Sequence, residues 1–179
     1  MLLLLLPLSG EMVYFHHPDE FCPVSESAYC GAGSVHTMLL HTTGSGVLQL
    51  FPGLPASWAN AVFHLLKASR GLTVSAVRSG GRTEWIYLTA PATSDGSEYA
   101  FSVLDDSDWA SAVPQVLPIG TKVAKGPGEK VWMVSIKANE SVALYPAGRP
   151  QPDFAVAPLL GNRSEWNWWG YNHNMQPLH

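Results

Sequence analysis

The densest set of ligand-type side chains lies near the N-terminus, where residues 16–20 read HHPDE. Two imidazoles and two carboxylates are groups that bind zinc or another divalent ion. Their spacing does not place them on one face of a helix, and Pro18 stiffens the loop. We therefore expect a solvated loop here and predict no metal site and no cofactor.

Two further patterns lack the partners that their chemistry requires. Ser34 and His36 follow a Gly-rich stretch, but the G-x-S-x-G turn of a serine hydrolase is missing. Asp105, Asp106 and Asp108 have the carboxylate density of a calcium loop without its Gly and distal Glu. We interpret the three aspartates as a hydrated acidic turn.

An aromatic segment near the C-terminus has the most unusual composition in the chain. It contains four aromatic side chains, Trp166, Trp168, Trp169 and Tyr171. Such rings offer flat apolar faces and polar tips, which suit the stacking of a sugar ring. The alternative is that they anchor the tail in a groove of a parent domain.

One acidic residue lies where a helix could position it. Residues 25–41 have small and apolar side chains at helical spacing, which predicts a helix over about 27–41. Glu26 would lie near the positive N-terminus of this helix and could serve in acid/base chemistry. Taken as a bare residue, it is interpreted as a contributor to the N-terminal helix cap.

Several features bear weakly on the cellular compartment. Cys22 and Cys30 could form a disulfide in a secreted protein, and the triplets at Asn139 and Asn162 permit N-glycosylation. The apolar residues 1–8 lack the basic region of a signal peptide and are too short to span a bilayer, so a buried segment of a longer protein is the alternative. We expect an extracellular or secretory-pathway location.

Composition limits the classes of partner. The formal net charge is −4, and basic residues do not cluster, so we expect neither nucleic acid nor an anionic membrane as a partner. Only 13% of residues are charged while 46% are hydrophobic. This balance indicates extensive buried or interfacial surface, as for a chain that contacts another domain.

Beyond Gly46 the pattern changes to short runs of β-branched and aromatic residues separated by turn formers. Seven strands are predicted, at residues 47–51, 62–68, 73–78, 83–89, 99–103, 131–136 and 141–145. The third and fourth strands should form a hairpin across residues 79–81. We predict a mainly β chain, an antiparallel β-sandwich with an N-terminal helical segment and an extended Pro/Trp-rich C-terminal tail. The expected units are 1–45, 46–146 and 147–179.

Four linked motifs resemble glycoside hydrolase family 95, the α-L-fucosidase-like family. Residues 34–40 (SVHTMLL) and 46–58 (GVLQLFPGLPASW) are similar to its "EMLLQSH" helix and "GVIRLFPALPxxW" segment. Residues 63–76 (FHLLKASRGLTVSA) resemble "FHxLRAxGGFxVSA", and residues 80–85 follow in order. The clear match covers residues 21–90.

The resemblance implies an architecture and a site. Family members have an N-terminal β domain, a catalytic (α/α)6 barrel and a C-terminal β-sandwich, of which this chain would hold the last barrel helix and the sandwich. Glu26 falls where the family has the catalytic Asp of "DGNFG", although Ala28 replaces the Asn. The paired general acid would come from another part of the barrel.

Three functions follow as hypotheses. The first is a C-terminal accessory domain or fragment of a family 95-like hydrolase, inactive alone, whose partner is a fucosylated or related glycan or a catalytic barrel domain. The second is a non-catalytic β-sandwich that binds carbohydrate or protein. The third is a nonfunctional remnant with an exposed barrel-facing surface.

Overall fold

A computed structural model describes residues 25–94, 96–103, 106–128 and 130–156. Within these ranges the chain forms two α-helices, α1 (Ser25–Leu39) and α2 (Ser107–Ser111). The strands in chain order are β1 (Leu40–Thr42), β2 (Leu48–Leu50), β3 (Ala61–Lys67), β4 (Thr73–Ser79), β5 (Arg82–Thr89), β6 (Glu98–Val103), β7 (Gln115–Leu117), β8 (Val123–Lys125), β9 (Val131–Ser135) and β10 (Ser141–Tyr145).

The strands form two five-stranded sheets. The first sheet has the order β1-β2-β6-β9-β8, and the second has the order β3-β4-β5-β10-β7. All described strand pairs are antiparallel except β2 with β6, which runs parallel. The prediction of a mainly β, antiparallel sandwich is confirmed.

A single apolar core joins the inner faces of the two sheets. Side chains alternate across each strand, so every second residue points into this core. Its fully buried members include Leu50, Phe101 and Val134 from the first sheet, and Val74, Ile86, Leu88 and Leu144 from the second. Burial of a side chain of this size contributes roughly 1.5–3 kcal/mol to stability.

The predicted hairpin is present as β4 and β5. Ser79 lies opposite Arg82, which leaves Gly80 and Gly81 as the two turn residues. Their φ angles are +55° and +79°. A two-residue turn with positive φ at both positions matches the right-handed twist of the strands, and glycine adopts it without steric cost.

The predicted helix is too long at its C-terminal end. It ends at Leu39, and the next three residues form β1, in which Leu40 lies opposite Leu50. Leu40 is buried, but an apolar residue is accepted at the end of a helix as well as in a strand, so its type alone could not separate a last helical turn from a three-residue strand. The segment that precedes residue 46 therefore supplies an edge strand to the first sheet.

Three other short elements were missed. They are β7, β8 and α2, each of three to five residues. Segments of this length are below the range in which a hydrophobic period is visible, and Pro and Gly surround the two strands. Their conformations depend on contacts with distant parts of the chain.

Candidate functional site

The C-terminal end of α1 is fixed to the sandwich by backbone hydrogen bonds. The N–H of Phe51 donates to the carbonyl of Leu39 at 2.8 Å, and the N–H of Gly53 donates to that of Met38 at 3.3 Å. A helix leaves its last carbonyls without partners inside the helix. The loop after β2 therefore caps α1 and fixes its position at the edge of the first sheet.

Side-chain packing supports the same junction. Phe51 is buried with a φ of +54°, and its ring meets Phe63 edge-on at a centroid distance of 5.2 Å. A Cβ atom at Gly53 would lie 3.3 Å from Cγ of Met38, so glycine lets the loop approach the helix closely. We call α1, Phe51 and Gly53 the helix–sandwich junction.

Over residues 30–39, whose side chains are described, α1 contacts the sandwich with one side. Val35 packs against the core and Leu39 is buried, whereas the other side is exposed at Cys30, Gly33, Ser34 and Thr37. The two exposed hydroxyls bond within the helix, because Ser34 Oγ donates to the Cys30 carbonyl and Thr37 Oγ1 to that of Gly33. The exposed side is thus smooth and uncharged over these positions.

The residues singled out in the sequence are only partly described. Glu26 lies in the first turn of α1, and its side chain lies outside the described atoms. The four aromatic residues 166, 168, 169 and 171, the sequon at Asn162, the HHPDE segment and Cys22 all lie outside the described residues. The disulfide between Cys22 and Cys30 therefore stays a prediction.

The sequon at Asn139 lies in a described turn between β9 and β10. Asn139 is exposed and has a φ of +58°, a left-handed conformation that Asn tolerates better than most residues. Its side chain is accessible at the surface. The position is compatible with N-glycosylation, which stays a prediction.

Asp106 is structural, contrary to the interpretation of the acidic turn as hydrated, while Asp105 lies outside the described residues. Asp106 is only 4% exposed. Its carboxylate accepts the N–H of Thr83 at 2.8 Å and that of Asp108 at 3.0 Å, and so caps α2. An Asp two residues before another Asp at the start of a short helix was the available sequence signal.

Two buried indoles extend this arrangement across the sandwich. Trp109 Nε1 donates to the carbonyl of Thr83 at 2.8 Å, and Trp132 Nε1 donates to the carbonyl of Trp109 at 2.7 Å. Trp132 belongs to β9 of the first sheet, and Thr83 belongs to β5 of the second. The indole bonds therefore join the sheets through α2.

A second apolar cluster lies on the outer face of the second sheet. Val62, Trp85, Ala143 and Tyr145 are buried, but they alternate along their strands with core residues and do not belong to the core. We call these four residues the outer ledge. Both faces of β5 and β10 thus carry buried apolar side chains, which is consistent with the low charged fraction.

Residues 146–156, which we call the strap, cover part of the outer ledge. The ring of Phe154 lies edge-on to Trp85 at 5.8 Å and to Tyr145 at 6.0 Å between centroids. Arg149 forms ion pairs with Glu84 at 3.3 Å and with Asp108 at a shorter distance. No local sequence pattern marks Arg149 or Phe154, because their partners Glu84 and Trp85 are more than sixty residues away in the chain.

Replacement of Asp106 by Ala should reveal the structural role of the acidic turn. The buried Thr83 N–H would lose its acceptor and α2 its cap, so we expect the free energy of unfolding to fall by about 2–4 kcal/mol. Urea denaturation measures this change. Asp153, which accepts the N–H of Ala155 at an exposed site, is the matched control. Asp153→Ala should cost less than about 0.5 kcal/mol, and equal losses would contradict the assignment.

Metal-ligand groups, membrane-spanning helices and related proteins could each indicate a function. Among the described residues, no group of three or more His, Cys, Asp and Glu side chains could hold a metal ion. No α-helix in the described ranges has both the length and the apolar character needed to cross a bilayer. No family model and no curated protein matches the chain. The candidate functional features are the helix–sandwich junction, with its exposed helix side, and the outer ledge with its buried rings.

Proposed function

We propose that this chain is the C-terminal accessory module of a family 95-like glycoside hydrolase, and that α1 docks it to the catalytic (α/α)6 barrel. One observation carries the proposal. The helix is fixed to the sandwich at its C-terminal end, while its smooth side is open to solvent. A helix that belongs to two neighbouring domains needs these two properties.

The position of the resembling motifs supports the same assignment. Residues 46–58, which resemble the family's "GVIRLFPALPxxW" segment, contain β2 and the loop whose N–H groups cap α1. Phe51 matches the motif and is the residue whose N–H caps α1. Gly53, the second capping residue, stands where the motif has Ala, so the resemblance covers only part of the junction.

The proposed module contributes at most one catalytic group. An inverting glycosidase needs two carboxyl groups roughly 6.5–9.5 Å apart, with a water molecule between one of them and the sugar. Glu26 aligns with one carboxylate of the family, and the second would come from the barrel. The module by itself should position Glu26 without catalysing hydrolysis.

Amide exchange and the upstream gene sequence test the docking role. In the isolated chain, α1 packs on one side only, so we expect its amides at residues 30–35 to exchange about tenfold or more faster than those of β4. The upstream reading frame should encode barrel helices. In the longer protein that it specifies, exchange at residues 30–35 should slow towards the rate of β4.

The amides of β4 in the same sample are the internal control for this comparison. An in-frame stop codon directly before Met1 would contradict the accessory-module assignment. Equal exchange of α1 in the isolated chain and in the longer protein would contradict docking through α1.

A hydrolysis assay tests the absence of a complete active site. The purified chain should release no nitrophenol from nitrophenyl-α-L-fucoside above the buffer rate, and Glu26→Gln should behave identically. Glu98→Gln, a change at an exposed strand residue, is the matched control. Turnover that is present in the wild-type chain and lost only in Glu26→Gln would show a self-sufficient site.

Glycan binding is the second candidate, and the ring-rich composition of residues 165–171 favours it. Stacking on Trp169 should contribute on the order of 1.4 kcal/mol, so Trp169→Ala should raise Kd for a fucosylated glycan about tenfold. Isothermal calorimetry after a glycan-array screen measures this. Trp58→Ala, at a partly exposed loop position, is the control. Unchanged binding by Trp169→Ala, or no glycan bound, would exclude this role.

A further inference from the structure

The strap is held to the sandwich by side chains. Pro150 and Pro152 have no N–H to donate, and among the described residues no backbone hydrogen bond joins residues 150–156 to a strand. The strands beneath it are held by complete ladders, as between β5 and β10. The strap is therefore attached by side-chain contacts, whereas the strands beneath it are attached by backbone hydrogen bonds.

Its first attachment is electrostatic. The side chains of Arg149, Asp108 and Glu84 are 25%, 32% and 35% exposed. Ion pairs with this much contact with water contribute little and are weakened by salt. Arg82, which also faces Asp108 at 3.7 Å, competes for the same carboxylate. This attachment is thus the weaker of the two.

Its second attachment is the ring of Phe154, which packs against Trp85 and Tyr145. Phe154 keeps partial contact with solvent, whereas the two rings beneath it are buried. Pro146, at the start of the strap, is buried against the sandwich. Beyond it, partly buried side chains and two screened ion pairs are far less than the core that holds the sheets together. The outer ledge itself is built by strands and does not depend on the strap for its shape.

We propose that the strap is a releasable cover that opens as a unit while the sandwich stays folded, and that opening exposes the outer ledge. Tyr87, two residues from Trp85 on the same face of β5, is already 37% exposed. Opening therefore joins Tyr87 to Trp85 and Tyr145 in one aromatic surface. This surface is separate from the exposed side of α1, so the inference does not depend on the proposed barrel.

Chymotrypsin cleavage after Phe154 measures strap opening, because the bond becomes accessible when the ring leaves the ledge. Mass spectrometry follows the product that ends at Phe154, and a peptide spanning residues 150–158 corrects for effects of salt on the protease. We expect Arg149→Gln to accelerate cleavage about three- to tenfold at low ionic strength. In about 1 M NaCl the wild-type rate should rise towards that of the variant.

A second variant separates local opening from unfolding of the whole sandwich. A Cβ atom at Gly126 would lie 2.7 Å from Cγ1 of Val131, so Gly126→Ala should destabilise the sandwich away from the strap. Urea denaturation of each variant gives its global stability. Cleavage after Phe154 should be unchanged in Gly126→Ala.

Two results would overturn the proposal. Faster cleavage of Gly126→Ala, in proportion to its loss of global stability, would mean that Phe154 is released only by unfolding. An unchanged cleavage rate in Arg149→Gln, together with a salt-independent wild-type rate, would mean that the ion pairs do not hold the strap. Arg149→Lys, which keeps the charge with fewer donors, should fall between the wild type and Arg149→Gln.

Discussion

The buried hydrogen bonds that converge on α2 fix the relative position of the two sheets and the placement of the strap. Trp132 donates to Trp109, Trp109 donates to Thr83, and Asp106 accepts the Thr83 N–H, so a continuous set of bonds crosses from β9 to β5. Buried polar groups are costly when they lack a partner, which makes such a set specific for one relative position of the sheets. The same short helix carries Asp108, the acceptor for Arg149. The placement of the strap thus depends on a helix of five residues.

The chain has few charged side chains, and several of them hold α2 and the strap in place. Of its few acidic and basic side chains, Asp106 caps α2, while Glu84, Asp108 and Arg149 hold the strap. The second sheet is covered on one face by the core and on part of the other by Phe154. A sheet covered on both faces replaces outward polar positions with apolar ones, as in the Ser141–Tyr145 strand, SVALY. The low charged fraction reflects this second layer of burial as well as the exposed side of α1.

Structural features that a local sequence pattern determines could be predicted, whereas those that distant contacts determine could not. Seven strands could be predicted because their β-branched and aromatic runs lie between turn formers, and Gly80-Gly81 could be predicted as a tight turn. Leu40 is an apolar residue that suits a helix end as well as a strand, and only its partner Leu50 decides between them. Asp106 looked like a solvated residue because its acceptor role depends on a strand more than twenty residues earlier. Glu26 and the aromatic segment could be proposed as candidate site residues from the sequence. The hydrogen bonds that cap α1 at the junction are visible only in the folded chain.

α1 and the strap are attached to the sandwich by different kinds of contact, and these contacts suit different roles. α1 is fixed through backbone hydrogen bonds from Phe51 and Gly53, which leave the helix little freedom to change direction relative to the sheet. The strap is fixed through the ends of side chains, and each of its contacts is open to water on at least one side. A backbone bond in a packed junction resists salt and local fluctuation, whereas a partly exposed ion pair does not. A rigid helix is what a domain interface requires, since its direction would set the orientation of the neighbouring domain. A side-chain attachment, in contrast, can be exchanged for another partner without any loss of strand pairing.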